Sequence, residues 1–364
     1  MSRFLLLFDS GTIAIYTFTI ARKKIQLLPA KKQENQVVDL LRVNGLEVHY
    51  NAPNITIHAL NGISFTIAEG ENIGVMGETS SGKSTLANAI MNNLSKPAAI
   101  VASGKIYYRG QDVFSMPKND FQKIRDKNLA LAAPDLDGSM DPKQPLSKHI
   151  IERIAPALGI KKEEALDKAI TFFQRIGIQD ASVHMEDNLE NLSIGTRQLV
   201  LLALALFSKP DLLILDNILS GLDAIHQSHV IEMIKEMQTK SSMATLTISH
   251  DPGMIAKIAD RVIILSGGLI VEEGPVNSVF TSSKHPMTLD LLGNTRRYNH
   301  KIQTLFPAAS GFSPMRLKKP DHCPYDQRCQ FAYDRCKKEN PVLIKVGVDH
   351  QVACWMDVMN GKAR

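Results

Sequence analysis

The chain of 364 residues is 44% hydrophobic and 22% charged, with 42 Lys plus Arg against 37 Asp plus Glu and a formal net charge of +5. This balance excludes a disordered, collagen-like or polytopic membrane protein, and at about 150 residues per domain the length suggests two or three domains. An excess this small gives no electrostatic case for nucleic-acid binding, while a mild attraction to anionic lipid surfaces stays compatible with it.

Residues 4–20 form a membrane-like stretch broken at Asp9, Ser10 and Gly11, short of the ~18 uninterrupted apolar residues of a spanning helix. Arg3 before it and three basic residues after Ala21 imitate a signal peptide poorly. Residues 1–36 are therefore read as a disordered N-terminal extension or the product of an upstream start codon, with a surface anchor as the alternative.

From about Val37 the pattern turns β-rich. Leu46, Val48 and Tyr50 alternate, Ile63, Phe65 and Ile67 alternate, and the apolar run 73–76 meets a glycine. Directly after that run, Gly77-Glu78-Thr79-Ser80-Ser81-Gly82-Lys83-Ser84 satisfies G-x-x-x-x-G-K-[ST] and opens a helix expected from Thr85. Glycines let backbone N–H groups converge on phosphate, the helix N-terminus adds its positive end, Lys83 neutralises the β and γ phosphates, and Ser84 ligates Mg2+. A chance Gly/Ser-rich turn would not explain the strand and helix on either side.

Leu166, Ala169, Ile170, Phe173 and Ile176 recur at three- and four-residue spacing, which predicts a helical insertion with one apolar stripe. Two buried-strand candidates, 212–215 and Ala244–Ile248, flank the amphipathic run 224–240, and strand, helix, strand implies parallel pairing. Asp216 ends the first of these strands, where a carboxylate reaches Mg2+ through water; an ordinary surface Asp is the alternative. A hairpin over 262–271 turns at Ser266-Gly267-Gly268, and beyond it Pro and Lys collect around 306–320, placing a boundary near residue 285.

Cys323, Cys329, Cys336 and Cys354 all fall in the last 42 residues, a local device and not a disulfide-stapled fold. Their spacing, C-x5-C-x6-C-x17-C, is wider than the C-x2-C pairs of a zinc ribbon. An iron-sulfur cluster and plain reduced thiols both stay open.

Leu192-Ser193-Ile194-Gly195-Thr196, with Ser193 standing 23 residues before Asp216, resembles the signature loop of ABC-transporter ATPases, normally Leu-Ser-Gly-Gly-Gln. Ser220-Gly221-Leu222-Asp223 resembles their D-loop, and His250 their switch histidine. His285-Pro286, Cys323-Pro324-Tyr325, Arg328-Cys329, Cys336 and Val352-Ala353-Cys354 are similar to the tail of ATP-binding subunits of oligopeptide, dipeptide and antimicrobial-peptide importers. The resemblance covers the chain apart from its first 36 residues.

It implies an α/β P-loop ABC ATPase domain over 37–285, with antiparallel β and helical subdomains, and a small Cys-containing extension over 286–364. It implies ATP and Mg2+ held by residues 77–85, Thr85 included, with Asp216, between this loop and the signature loop of a second ATPase subunit, while this chain's Ser193 and Gly195 would face the nucleotide on the partner's loop. Tyr50 would stack on adenine, unless it is simply a core aromatic. His250 and Asp223 fall on the catalytic side; a satisfied structural histidine is the alternative for the former. The four cysteines would hold a [4Fe-4S] cluster. Partners would be the second ATPase, two integral membrane permeases and an extracytoplasmic peptide-binding protein, with no nucleic acid, at the cytoplasmic face of the inner membrane.

Three positions depart from the pattern. Asn217 stands where the family has the Glu that accepts a proton from attacking water, and loss of such a base costs about 10²- to 10⁴-fold. Pro134 stands where a glutamine would touch Mg2+, as judged from Ile124-Arg125 and Ser139 on either side, and offers neither amide nor N–H. Ile194 replaces the first signature glycine with a β-branched residue. The expectation is a chain that binds ATP, hydrolyses it poorly unless His250 replaces the base, and works in a heterodimer. The competing readings are a regulatory pseudo-ATPase and a soluble ABC protein acting on ribosomes or DNA.

Overall fold

Alternation early in the chain becomes antiparallel pairing, and the short uninterrupted apolar runs become parallel strands buried on both faces, as their patterns require. The computed structural model describes residues 3–7, 13–17, 39–53, 55–134, 140–296, 319–358 and 360–363. It divides into two units, 1–38 and 39–364.

In the first unit, where the composition predicts a disordered extension, β1 (Arg3–Leu7) pairs antiparallel with β2 (Ile13–Thr17), Arg3 opposite Thr17 and Leu7 opposite Ile13. Both runs are rich in Leu, Ile, Phe and Tyr, residues that favour strands. The polar break at Asp9, Ser10 and Gly11 lies outside the described residues.

The second unit begins with β3 (Asp39–Ala52) and β4 (Ile55–Ala68), followed by β5 (Asn72–Gly77) and α1 (Lys83–Ile90). Next come β6 (Ala99–Tyr108), β7 (Gln111–Asp112), α2 (Lys118–Lys127) and β8 (Leu129–Ala132). Strands β4-β3-β6-β7 form an antiparallel sheet of four. Its inner face, including Leu46, Val48, Ile63 and Ile67, packs with Leu86 and Ile90 of α1.

The helical insertion is α3 (Leu146–Leu158), α4 (Lys162–Arg175) and α5 (Ile194–Phe207). The predicted stripe is the buried one: Ala169, Phe173 and Ile176 are fully covered, and Leu166 and Ile170 pack against the same cluster. There follow β9 (Leu212–Asp216), α6 (Ala224–Ser241), β10 (Ala244–Ile248), α7 (Pro252–Ile258), β11 (Arg261–Ser266) and β12 (Leu269–Pro275). Then come α8 (Val276–Thr281), α9 (Pro286–Arg296), β13 (Ile344–Gly347) and β14 (His350–Val352), followed by a short antiparallel pair, Met356–Asp357 with Lys362–Ala363.

Strands β13-β14-β12-β11-β5-β10-β9-β8 make one sheet of eight. The five from β11 to β8 run parallel. The predicted boundary near residue 285 is crossed by contacts: β14 pairs with β12, and Met76, Val262 and Val271 share a core with Met287, Cys323, Tyr325 and Cys336. Among the described residues no helix is long and apolar enough to cross a membrane.

Candidate functional site

Parallel register brings three motifs to one edge of the sheet. Val75 of β5 pairs with Ile248 of β10, which pairs with Asp216 of β9, while Gly77 pairs with Leu265 of β11. The peptide links follow: Ser249 N donates to Val75 O at 3.2 Å and Asn217 N to Ile248 O at 3.0 Å. The carboxyl ends of β5, β9 and β10 therefore deliver residues 77–85, Asp216-Asn217 and His250 together, the usual position for ligand sites in parallel sheets. β8 ends beside β9 with Ala132 opposite Leu215, so exposed Pro134 emerges on this edge too. Ser139 lies outside the described residues.

The phosphate-loop motif closes on itself through its two glycines. Gly77 has φ +153°, and a Cβ there would lie 2.3 Å from the Leu265 carbonyl oxygen. Gly82 caps α1 at φ +103°, where a Cβ would lie 2.5 Å from the Ala59 carbonyl oxygen. This tight closure starts α1 at Lys83, two residues earlier than the Thr85 expected from sequence. The Lys83 Nζ donates to Gly77 O at 2.9 Å, Glu78 O at 2.6 Å and Ser81 Oγ at 3.2 Å. Burial pulls its ammonium down to about 8, against the opposing pull of Asp216 and Glu78. Thr79, Ser80 and Ser84 stay exposed, and the Tyr50 hydroxyl lies 3.4 Å from Thr85 Oγ1, which brings that aromatic to the first turn of α1.

A triphosphate lying on this loop would meet the N-terminus of α1 and a lysine whose three present partners are weak neutral acceptors, easily exchanged for phosphate oxygens. Ser84 and Asp216 supply hard oxygens on the two sides expected for Mg2+, a donor set that suits this ion. Asp216 is buried, and its Oδ1 accepts from Asn217 Nδ2 at 2.9 Å. Asn217 adopts the left-handed region at φ +53°, which asparagine tolerates better than most residues. His250 keeps solvent access, yet burial first and the Lys83 ammonium second hold its imidazole below the usual histidine range. Both effects favour the neutral imidazole.

The signature residues stand elsewhere. Ser193 caps α5, its Oγ accepting from Thr196 N at 3.1 Å, and Ile194 is 71% exposed. Gly195 lies against the D-loop, 3.9 Å from Gly221 O measured at an added Cβ. Asp223 is held as the cap of α6, accepting from Ile225 N and His226 N at 3.0 Å and pairing with His226 Nδ1 at 2.7 Å. Signature and D-loop therefore form one continuous surface turned outward.

The four cysteines, separated by up to 31 positions in sequence, line one small cavity with His285 and Trp355. Burial pushes the Cys329 thiol up to about 12 and that of Cys323 higher, with the neighbouring thiols adding to both. Among the described residues no disulfide joins them and no group of three or more His, Cys, Asp or Glu is arranged to hold a metal ion. One contact that no motif signals joins this segment to the phosphate loop: Arg328, next to Cys329, pairs with Glu78 at 2.5 Å.

Sheet, phosphate loop and helical insertion define an ABC-type ATP-binding domain, and sequence comparison agrees. The family profile described as ABC transporter matches residues 60–220, and that of the oligopeptide/dipeptide transporter C-terminal region matches residues 271–336. The dipeptide transport ATP-binding protein DppD of Caldanaerobacter subterraneus is 32% identical over 319 residues, 87% of this chain and 97% of its own. DppD of Escherichia coli is 30% identical over 315 residues, 86% of this chain and 96% of its own. The dimeric post-hydrolysis structure of the ATP-binding cassette MJ0796, bound to ADP and Pi, matches with a TM-score of 0.57 at 21% identity, covering 65% of this chain and 98% of that one. The chain belongs to the ATP-binding proteins of the peptide and dipeptide ABC transporters.

Proposed function

We propose that this chain is the ATP-binding subunit of a peptide-type ABC importer, taking Mg-ATP at residues 77–85 and Asp216. The observation that carries the reading is the meeting of Lys83, Asp216 and His250 at the ends of adjacent parallel strands. Lys83 leaves its carbonyl partners for the β and γ phosphates, Tyr50 covers the adenine, and neutral His250 holds the γ-phosphate by a hydrogen bond. Mg2+, when bound through Ser84 and Asp216, supplies charge neutralisation to the phosphate oxygens.

Asn217 supports a division of labour. Its amide donates to Asp216 and has no basic electron pair to take a proton from water. This chain then holds nucleotide, presents Ser193 and Gly195 to a partner's phosphate loop, and leaves the proton transfer at that second site to a second ATPase subunit. Two permeases, an extracytoplasmic peptide receptor and a peripheral place on the cytoplasmic face of the inner membrane complete the assembly. ATP turnover of this chain alone and in the assembled complex tests it: slow alone and fast together is expected, and brisk turnover alone overturns the heterodimer. The same residues favour a second reading, a regulatory subunit whose nucleotide never turns over, which phosphate release in an assembly whose partner carries an inactivated general base would exclude.

For the cysteines we propose a [4Fe-4S] cluster. The shared cavity supports it, and the four thiols would release protons on loading. Iron and acid-labile sulfide in anaerobically purified protein are the test; absence of both leaves four reduced thiols.

A further inference from the structure

We infer that Arg328 is a positioning residue for the phosphate loop, neutralising Glu78 so that Mg-ATP affinity is set in part from the Cys-bearing segment. The inference rests on the reading of residues 77–85 as the nucleotide site and goes beyond it. Glu78 follows Gly77 directly, and its carbonyl oxygen already accepts from Lys83 Nζ at 2.6 Å. Its carboxylate is gripped by Arg328 at both oxygens, Nη1 on Oε1 and Nη2 on Oε2, each at 2.5 Å. The pair is well covered, with side chains 13% and 23% exposed. Forked geometry of this kind fixes direction as well as charge.

Arg328 is itself held. Its guanidinium lies 5.0 Å from the centroid of Tyr325, a ring buried among Met76, Cys323 and Cys336. A third group, Asp290 of α9, faces the same pair: burial lifts its carboxyl to about 6, Arg328 opposes that shift and Glu78 adds to it. Two carboxylates thus share one guanidinium beside a loop built to receive an anion.

The sign of the effect follows. A bare carboxylate at the second position of the loop repels a triphosphate and competes with it for Lys83 and the loop N–H groups. Paired with Arg328, it does neither. Partly buried charges a few ångströms apart interact strongly enough for removal of the guanidinium to weaken Mg-ATP binding by about fivefold or more.

Calorimetry with Mg-ATP on the full chain tests this with R328Q, E78Q and the double variant. R328Q is expected to bind about fivefold or more weakly than wild type, and R328Q/E78Q to bind about threefold or more tightly than R328Q, whatever E78Q does alone. An arginine acting only by packing would give no recovery in the double variant, and unfolding midpoints of all three variants separate a relieved unpaired charge in the fold from a recovered affinity. R328Q binding like wild type, or a double variant as weak as R328Q, overturns the inference while leaving the nucleotide site standing. A wild-type chain that takes up no Mg-ATP overturns both. Should R328Q fail to fold, R328M keeps the stem over Tyr325 and carries the same expectations.

Discussion

Asn217 donates its side-chain amide to Oδ1 of Asp216 at 2.9 Å, so the residue standing where a general base is expected is tied to the carboxylate that precedes it. Replacing it with Glu would set two carboxylates side by side, raising one toward neutrality, where a base is most effective. Asn217 sits at φ +53°, and a longer side chain there costs about 1–2 kcal/mol. Asn217→Glu is therefore expected to lower the unfolding midpoint while raising phosphate release at this chain's own site by about tenfold or more, read in an assembly whose partner carries an inactivated general base. Pro134 keeps the gain below the full value of a restored base. Asn217→Ala, which frees Asp216 without adding a base, should show no gain; equal rates for the two variants would place the limit elsewhere.

Tyr50 offers a clean separation of stacking from core packing. Its ring is half-buried against the antiparallel sheet's core, and its hydroxyl makes only a 3.4 Å contact with Thr85 Oγ1. Tyr50→Phe should keep Mg-ATP affinity within about twofold, since so long a contact contributes little. Tyr50→Ala should weaken it by about three- to tenfold, the value of one aromatic stack. If the ring serves the core alone, Tyr50→Ala lowers the melting temperature and leaves the affinity of the folded protein unchanged.

The phosphate-loop motif, the carboxylate that ends β9 and the parallel pairing of β9 with β10 were legible because each is written in contiguous residues: 73–76 is an unbroken apolar run, and the glycines of 77–84 have a fixed spacing. The stripe of α4 was legible for the same reason, its period surviving as the buried face. What escaped the sequence reading depends on pairs far apart in the chain. Nothing local announces that β14 returns to β12, that Arg328 reaches Glu78 across 250 positions, or that cysteines in irregular backbone share one cavity. The pairing of residues 3–7 with 13–17 is likewise not announced by any local signal, since a polar break between two apolar runs speaks only against one continuous spanning helix.

Lys83 makes nucleotide binding depend on pH in a definite direction. Burial sets its ammonium at about 8 in the nucleotide-free chain, so near pH 7 about nine-tenths of molecules carry the charge. Phosphate oxygens favour the charged form and raise that value in the complex. Binding above pH 8 must then take up a proton, and affinity should fall as pH rises, by at most about tenfold per unit. Calorimetry at pH 8.5 in two buffers of different ionisation enthalpy reads the uptake directly. Lys83→Arg, charged across this range, should abolish it; uptake that persists in this variant would assign the proton to another group.

Glu272 carries the attachment of the C-terminal strands. It is fully buried on β12, accepts from Lys284 N at 2.6 Å and His285 N at 3.0 Å, and is hydrogen-bonded to His350 Nε2 of β14 at 2.8 Å. Three donors converge on one carboxylate, so Glu272→Gln presents an NH2 group to at least one of them and leaves a buried donor without its acceptor. The expected loss is about 2–3 kcal/mol, measured as a fall in the urea midpoint at unchanged slope. His350→Gln should cost less, because both backbone donors keep their partner. In the double variant the two losses should fall short of their sum, since the side chains share one bond. Additive losses would mean that β14 is held by its strand pairing with β12 and not by this carboxylate.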